Sequence, residues 1–528
     1  MKDESNQPDS PADSSQQDPV THHPPKISAM DRRKFVGLTA TAALSFTIVP
    51  RHVLGGKNYI APSDKLTVAY IGTGTEGTRG LLDMLMIPEI QLVSVCDPNQ
   101  EAIGYRDWGT DYLKNDIRKV INNPGWNPGG DNVIPGGRDN AKSIVESFYA
   151  NVRQQPKYKG CSAYADAREL LDKEKDVDAV KIMTPDHLHG VLAIAAIKKG
   201  KHVLMHKPLS NRLAEGKKVI GYAKSSNVIT HLVPWDSNGS MEKVMEWINS
   251  GAIGTLKEVH NWTNRPVWPQ YAELPKEKPP VPKGFNWDLW LGPEAERPYH
   301  PSYTHMLFRG WYDFGGGSMA DMGHYSLWTV FNALKLTSPT VVEPCRSHVC
   351  DFHGQVPYQI KNDFSFPMAC MVTFRYPANG NRPPVDLCWY DGGMRPATPV
   401  ELAKDNKELP AEGMMFIGDK GKILAGFRVE DPEILGKPES KQTTKEIDNE
   451  IFAKYHLDLF VKACQSGKQY PGTFAESEYL TEAVNLYAVA LRTNHNLHFD
   501  AAKQVTNLPE ANKYLSREYR PGWNPDTI

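Results

Sequence analysis

The sequence predicts an α/β protein in two parts: a doubly wound parallel sheet, then an α+β part with a large, mainly antiparallel open sheet. Three observations predict it. Residues 65–97 read strand, glycine turn, helix, strand, acid. Between 179 and 233, short apolar runs alternate with helix-like stretches, the rhythm of βαβ units. Beyond residue 340, the runs 341–349, 368–376, 385–390 and 414–417 have the look of strands in an open antiparallel sheet.

The first stretch carries the most chemistry. The apolar run 66–71 ends in Gly72-Thr73-Gly74-Thr75-Glu76-Gly77, and a helix-like segment follows to about Met86. Gly72 lets the chain turn off the strand, Gly74 leaves room for a pyrophosphate, and Gly77 lets the helix lie close on the sheet. The helix N-terminus offers free N–H groups and partial positive charge to phosphates. A second run, 90–96, ends at Asp97, placed for ribose hydroxyls. Pro98 and Asn99 follow, and no Arg stands immediately beyond to hold a 2′-phosphate. The stretch therefore predicts a Rossmann domain that binds NAD rather than NADP, through Gly72, Thr73, Gly74, Thr75, Glu76, Gly77 and Asp97. The alternative is a tight βα turn without a ligand.

Length and composition bound the rest. A chain of 528 residues has room for two domains and a targeting segment. A net charge of −2 without basic blocks or an acidic tail argues against a nucleic-acid partner. Abundant Trp, Tyr and Pro suggest long ordered loops with aromatic surfaces. The seven Cys form no CxxC and no compact framework; Cys345 and Cys350 are the natural pair in an oxidising compartment.

Residues 1–29 are rich in Ser, Asp, Gln, Pro and His and predict disorder. Arg32 and Arg33 precede an apolar run, 36–49, too short to span a bilayer comfortably. The pattern reads as a twin-arginine export signal, with cleavage between 50 and 59, and predicts a periplasmic protein. Met30 stands where such a signal begins, which makes it the expected start of translation. No other segment is long and apolar enough to cross a membrane. Domains are expected at 1–58 (extension and signal), 59–210 (nucleotide-binding, with an insertion at about 115–158) and 211–528 (substrate and oligomerisation). Helices are expected at 139–153, 164–173, 184–199, 211–224, 241–249, 318–334, 454–468 and 475–493.

Lys207 follows the apolar run 202–205, at the strand edge where ligands bind in such sheets. There it can hold a substrate hydroxyl and move its proton. A cis bond to Pro208 would aim it inward. His187 and His189 form an H-x-H pair with no evident third ligand, so no metal is expected. Asp321, His324 and Tyr325 are spaced i, i+3, i+4 and share a helix face. Trp287, Trp290, Trp311 and Tyr312 are either core aromatics or a sugar platform. The loop 264–301 either closes over the substrate or reaches a neighbouring subunit.

Together these motifs resemble the glucose-fructose oxidoreductase / inositol dehydrogenase / rhizopine-catabolism family, Gfo/Idh/MocA. The resemblance rests on the glycine turn with Asp97, on TPDHLHGVLAIAAIKKGKHVLMHKP (184–208) and on GGGSMADMGHYSLW (315–328). It extends over about 65–525 and looks closest to the exported bacterial branch, with GAIGTLKEVHNWTNRPVWPQ (251–270) and WDLWLGP (287–293). It implies a C-terminal α/β domain whose open sheet often serves oligomerisation, hence a homo-dimer or tetramer. It implies NAD(P)-linked chemistry on a small carbohydrate substrate, with Thr184, Pro185, His189 and Lys207 at the cofactor. Two positions depart from the family pattern. Its Glu-Lys-Pro is His206-Lys207-Pro208 here, and its Asp-x-Gly-x-His ends in Tyr325, with a His one place earlier, at His324. One residue turns a side chain about 100° round a helix, so His324 should not replace the lost histidine. Tyr325 can carry the proton if Lys207 or His206 lowers its pKa. The expected catalytic set is Lys207, Tyr325, Asp321, His324 and His206.

Three functions follow from this reading. The first is an NAD-dependent oxidoreductase acting on a secondary hydroxyl or ketone of a sugar, polyol or glycoside. The second is an NAD-retaining glycoside-cleaving enzyme that works by transient 3-keto oxidation and elimination. The third is a carbohydrate-binding or scaffold protein without catalysis.

Overall fold

β1 (Leu66–Ile71, LTVAYI) is buried along nearly its whole length, as suits the centre of a parallel sheet covered on both faces. The computed structural model describes residues 64–528 apart from 102–103, 156–159, 235–238 and 445–448. The twin-arginine segment, Met30 and the disorder expected for 1–29 lie outside the described residues.

The first sheet contains β1, β2 (Ile90–Cys96), β3 (Ser162–Tyr164), β4 (Ala179–Ile182), β5 (His202–His206) and β6 (Thr230–Val233). All its pairings are parallel and the order is β3-β2-β1-β4-β5-β6. The order reverses between β1 and β4, so a crevice opens beyond their C-terminal ends. α1 (Thr75–Met86) follows the glycine turn, α2 (Asp186–Lys198) follows β4, and α3 (Leu213–Ser225) joins β5 to β6.

Two expectations shift here and one holds. β3 falls at the start of the helix expected from 164; the helix is Ala167–Lys173, capped by Asp166, whose side chain accepts the Arg168 N–H. Three residues of Ser-Ala-Tyr are too short to announce a strand. The region 115–158 contains the helix Arg138–Asn151, whose Ile144, Val145 and Phe148 pack into the core of the first sheet. It lies between β2 and β3, where the insertion was expected. The sheet also runs on to β6, so a boundary after 210 falls inside the first domain.

The second sheet has nine strands. They are β7 (Leu256–Trp262), β8 (Val341–Arg346), and, beyond a separate hairpin of β9 (Cys350–His353) and β10 (Val356–Gln359), β11 (Cys370–Tyr376), β12 (Val385–Asp391), β13 (Gly413–Gly418), β14 (Lys422–Ala425), β15 (Glu433–Ile434), β16 (Leu497–Asp500) and β17 (Val505–Thr506). The order is β15-β14-β13-β7-β12-β11-β8-β16-β17. Only β7 and β12 pair in parallel; the other pairings are antiparallel. The sheet is thus mixed and mainly antiparallel.

α4 (Gly317–Ala333), α5 (Asn449–Ser466) and α6 (Glu478–Thr493) complete the architecture. α2 is buried at every position from Asp186 to Ile197, the pattern of a helix enclosed on all sides. Ala193 of α2, Trp328 of α4 and Tyr487 of α6 share one apolar cluster with Val180 of the first sheet and Val372 of the second. The two sheets therefore share a core, and the crevice between them has fixed walls. All seven cysteines are free, Cys345 and Cys350 included. Among the described residues no helix is long and apolar enough to cross a membrane.

Candidate active site in the cleft between the two sheets

The crevice is a cleft of about 300 Å³. Its nucleotide side is made by the turn after β1. Gly72 has φ +95°, and a Cβ there would lie 2.6 Å from the Met183 carbonyl. A Cβ on Gly77 would lie 2.1 Å from the Gly72 oxygen, so α1 can start where it does only with glycine. Asp97 lines the cleft. Its carboxylate accepts the N–H of Thr73 and the N–H of Asn99, each at 2.8 Å. Burial raises its pKa, while those two bonds oppose the rise and fix the carboxyl group in place, with lone pairs left for hydroxyls. Arg138 comes beside it, but its guanidinium donates to the Asp97 and Pro98 carbonyls. The turn and the cleft-lining carboxylate fit NAD and leave no cation committed to a 2′-phosphate. Gly72, Gly74, Thr75, Glu76 and Gly77 line the cleft as expected, and so do Thr184 and Pro185. Thr73 is buried behind the turn and serves Asp97.

Lys207 enters from the end of β5, next to a cis peptide to Pro208. It is 3% exposed. Its Nζ donates to Asp321 Oδ1 at 2.8 Å and to the Asp321 carbonyl, which fixes the ammonium against the first full turn of α4. Burial lowers the Lys207 pKa, while Asp321 holds the proton on. Around Asp321, burial opposes three cations, Lys207, Arg309 and Arg265, which win and bring its pKa down to about 2.

His206 and Tyr325 line the same cleft. Burial and the nearby cations Lys207, Lys181 and Arg309 push the His206 pKa well down, so the imidazole is neutral. Tyr325 departs from expectation. Lys207 Nζ lies over its ring, 5.1 Å from the centroid. Burial, Glu76 and Asp321 raise its pKa, outweighing Arg428 and Arg309. Its hydroxyl stays protonated and acts as a donor. His324 is a second correction. It is fully buried, lies off the cleft, and its ring nitrogens have no well-formed hydrogen bond. One step round α4 turns it into the core. A third correction is His189. It also lies off the cleft, with Nδ1 2.6 Å from the Pro208 oxygen and Nε2 2.8 Å from the Thr184 oxygen. It ties the loops after β4 and β5 together behind the cofactor wall. Nε2 of His187 lies 2.8 Å from the Trp290 oxygen. Among the described residues no three His, Cys, Asp or Glu side chains cluster to hold a metal.

Two consequences can be measured. His324→Leu replaces a buried polar ring by an apolar group and is expected to retain turnover and to melt no lower than the native chain. A fall in turnover of about a hundredfold would put His324 back in the proton path. Burial brings the pKa of both His187 and His324 down to about 3. A depressed folded pKa gives stability that is complete above the ordinary value near 6.5. It drains as the pH falls towards 3. Urea midpoints should therefore drop across that window, and less steeply in His324→Leu.

The aromatic alternatives are settled by burial. Trp287, Trp290 and Trp311 belong to a core cluster with Tyr303 and Phe314, and Tyr312 packs in the main core. Of these four only Trp290 reaches the cleft. The loop after β7 closes over the cleft through Arg265, Val267 and Trp268. Sequence reasoning missed Arg265, Trp268 and Arg309. Their signal was present: RPVW follows the strand 256–262, and Arg309 stands just before the glycine run that opens α4.

Residues 132–233 match the model of an oxidoreductase family's NAD-binding Rossmann fold, and residues 240–344 match the same family's C-terminal alpha/beta domain. Levoglucosan dehydrogenase from Pseudarthrobacter phenanthrenivorans is 34% identical over 94 residues, 17% of this chain and 24% of its own. Myo-inositol 2-dehydrogenase from Thermotoga maritima is 36% identical over 95 residues, 17% of this chain and 28% of its own. The chain thus matches about a quarter of the length of these curated relatives. The solved aldose-aldose oxidoreductase from Caulobacter crescentus is covered over 100% of its length and covers 82% of this chain. At 15% identity and a TM-score of 0.45 it adds nothing to the match. Residues 132–233 and 240–344 thus match, in order, the two domains of one oxidoreductase family, Gfo/Idh/MocA.

Proposed function

We propose that the protein is an NAD-dependent oxidoreductase that oxidises a secondary hydroxyl of a sugar or polyol, or reduces the matching ketone. One observation carries the reading. A buried lysine, clamped by a carboxylate, faces the cleft that opens on the glycine turn and Asp97. NAD bound there supplies the hydride acceptor. Gly72, Gly74 and Gly77 give its pyrophosphate room, and Asp97 accepts from the ribose.

The chain's own residues do the rest. Asp321 holds Lys207 Nζ in one place. With its own proton first released to solvent, the neutral Nζ receives the proton of the substrate hydroxyl; in the reverse direction the ammonium gives its proton to the ketone oxygen. Burial lowers the cost of giving up the ammonium proton, and Asp321 limits that effect. The protonated Tyr325 hydroxyl donates to a substrate oxygen. Trp268, Trp290 and Phe308 line the cleft and exclude water. The twin arginines Arg32 and Arg33 support export with the cofactor already in place.

The test is a panel of sugars, polyols and aryl glycosides incubated with the purified protein and NAD. The reading expects reduced cofactor and a keto product in stoichiometric amounts. Aglycone released without accumulation of reduced cofactor would move the activity to the oxidation–elimination class. No turnover on any member, despite bound nucleotide, would favour a binding protein.

A further inference from the structure

The donors around Asp321 outnumber what they bind. Lys207, Arg265 and Arg309 converge on two carboxylates, Asp186 and Asp321. Each carboxylate is already engaged. Asp186 Oδ2 accepts the Gly316 N–H at 3.0 Å, and Asp321 Oδ1 accepts from Lys207. Arg309 therefore reaches Asp186 only at 3.4 Å and Asp321 only at 3.6 Å. Arg265 Nε lies 3.8 Å from Asp321 Oδ2 and is buried without a hydrogen bond. Its Nη1 is turned back on the Asn264 side chain. The other cleft acids have their own partners. Glu76, with its side chain 57% exposed, and Asp107 both pair with Arg79. Asp97 is held by backbone N–H groups. His206 and Tyr325 are neutral.

Two forked donors facing one cleft with loose contacts are geometrically suited to a planar, two-oxygen anion. A buried guanidinium nitrogen without an acceptor is costly, and an incoming anion relieves that cost. Trp268 lines the same cleft, and Trp108 lies at its mouth with Arg265 5.5 Å from its ring centroid. An aromatic face beside an arginine fork suits a ring with an apolar C–H face and a carboxylate. We propose that Arg265 and Arg309 form a subsite for an acidic group on the substrate, so that the preferred substrates are hexuronates or their glycosides rather than neutral hexoses.

The proposal rests on the oxidoreductase reading for the location of the substrate. The other source of anionic oxygen is the cofactor's own pyrophosphate, and the experiment separates the two. NADH is first titrated into the full chain and its affinity measured by calorimetry. Sodium D-glucuronate and D-glucose are then titrated into the NADH-loaded protein at pH 7. Loss of one charge-assisted pair predicts a preference for glucuronate of about tenfold or more. Arg265→Gln should bring the two sugars within about threefold and leave NADH affinity unchanged within about twofold. Arg265→Lys keeps the charge without the fork and should retain part of the preference, which guards against a folding defect in the glutamine variant. Equal binding of both sugars by the native protein overturns the proposal. So does an Arg265→Gln variant that loses NADH affinity while keeping its sugar preference, since Arg265 would then serve the pyrophosphate. Absence of NADH binding at the first step sinks the oxidoreductase reading, and the subsite with it, before any sugar is added.

Discussion

Lys207→Met is expected to lower turnover by about 10²–10⁴-fold while leaving nucleotide binding intact. Methionine matches the reach of the lysine stem and suits a position that is 3% exposed, so the fold should persist. The carboxylate of Asp321 would not be stranded, because Arg265 and Arg309 still face it. What disappears is, among the described residues, the only lysine lining the cleft. In the reductive direction, where Lys207 gives up its proton, the high-pH limb of the native rate profile should lie below the ordinary lysine value of 10.5, since burial lowers this group. That limb should vanish in the variant. A profile that keeps it, or turnover within about threefold of native, would remove Lys207 from proton handling.

Arg517→Ala is expected to cost about 3–5 kcal/mol of folding stability, read as a lower urea midpoint. Arg517 arrives from the C-terminal segment and threads into the first domain. Its Nε lies 2.7 Å from Glu215 Oε1 and its Nη1 2.5 Å from Glu294 Oε1; Nη2 also donates to Asn211. Glu215 is fully buried, on α3. Burial raises its pKa against the pull of Arg517 and Arg212. Removing Arg517 leaves that carboxylate in the interior with one fewer cation, which is the costly way to break a buried network. Arg212 still holds Glu294 at 2.9 Å, so the damage should centre on Glu215. Glu215→Gln in the Arg517→Ala background is expected to recover part of the loss.

The nucleotide half of the site was legible because its constraints are local. Gly72, Gly77 and Asp97 stand on consecutive elements, and each has one steric or polar job that its residue type announces. Lys207 was legible for the same reason, at the end of a strand in a parallel sheet. The substrate half was less so. Arg265 and Arg309 are brought to Asp321 from separate loops, so the sequence motifs beside each one mark the loop but not the point where the two meet. His189 and His324 show the opposite failure. Both are residue types suited to chemistry, at plausible spacings, yet their helices turn them away from the cleft. Burial then sets their charge state, as it does for Tyr325, whose pKa moves up rather than down. Three-residue β3 was obscured because tertiary packing, not local pattern, makes it part of the sheet.

The central claim is that the glycine turn and Asp97 hold NAD beside Lys207. The most direct measurement is nucleotide content and affinity. The purified protein is denatured, the supernatant assayed for NAD(H) and NADP(H), and fresh protein titrated with each. The account predicts NAD(H) in the supernatant or tight binding of added NADH, with NADPH at least about tenfold weaker for want of a free cation at the ribose. It also predicts that Gly77→Val binds neither, since a Cβ there collides with the Gly72 oxygen. A native protein that neither carries nor binds either nucleotide would contradict it.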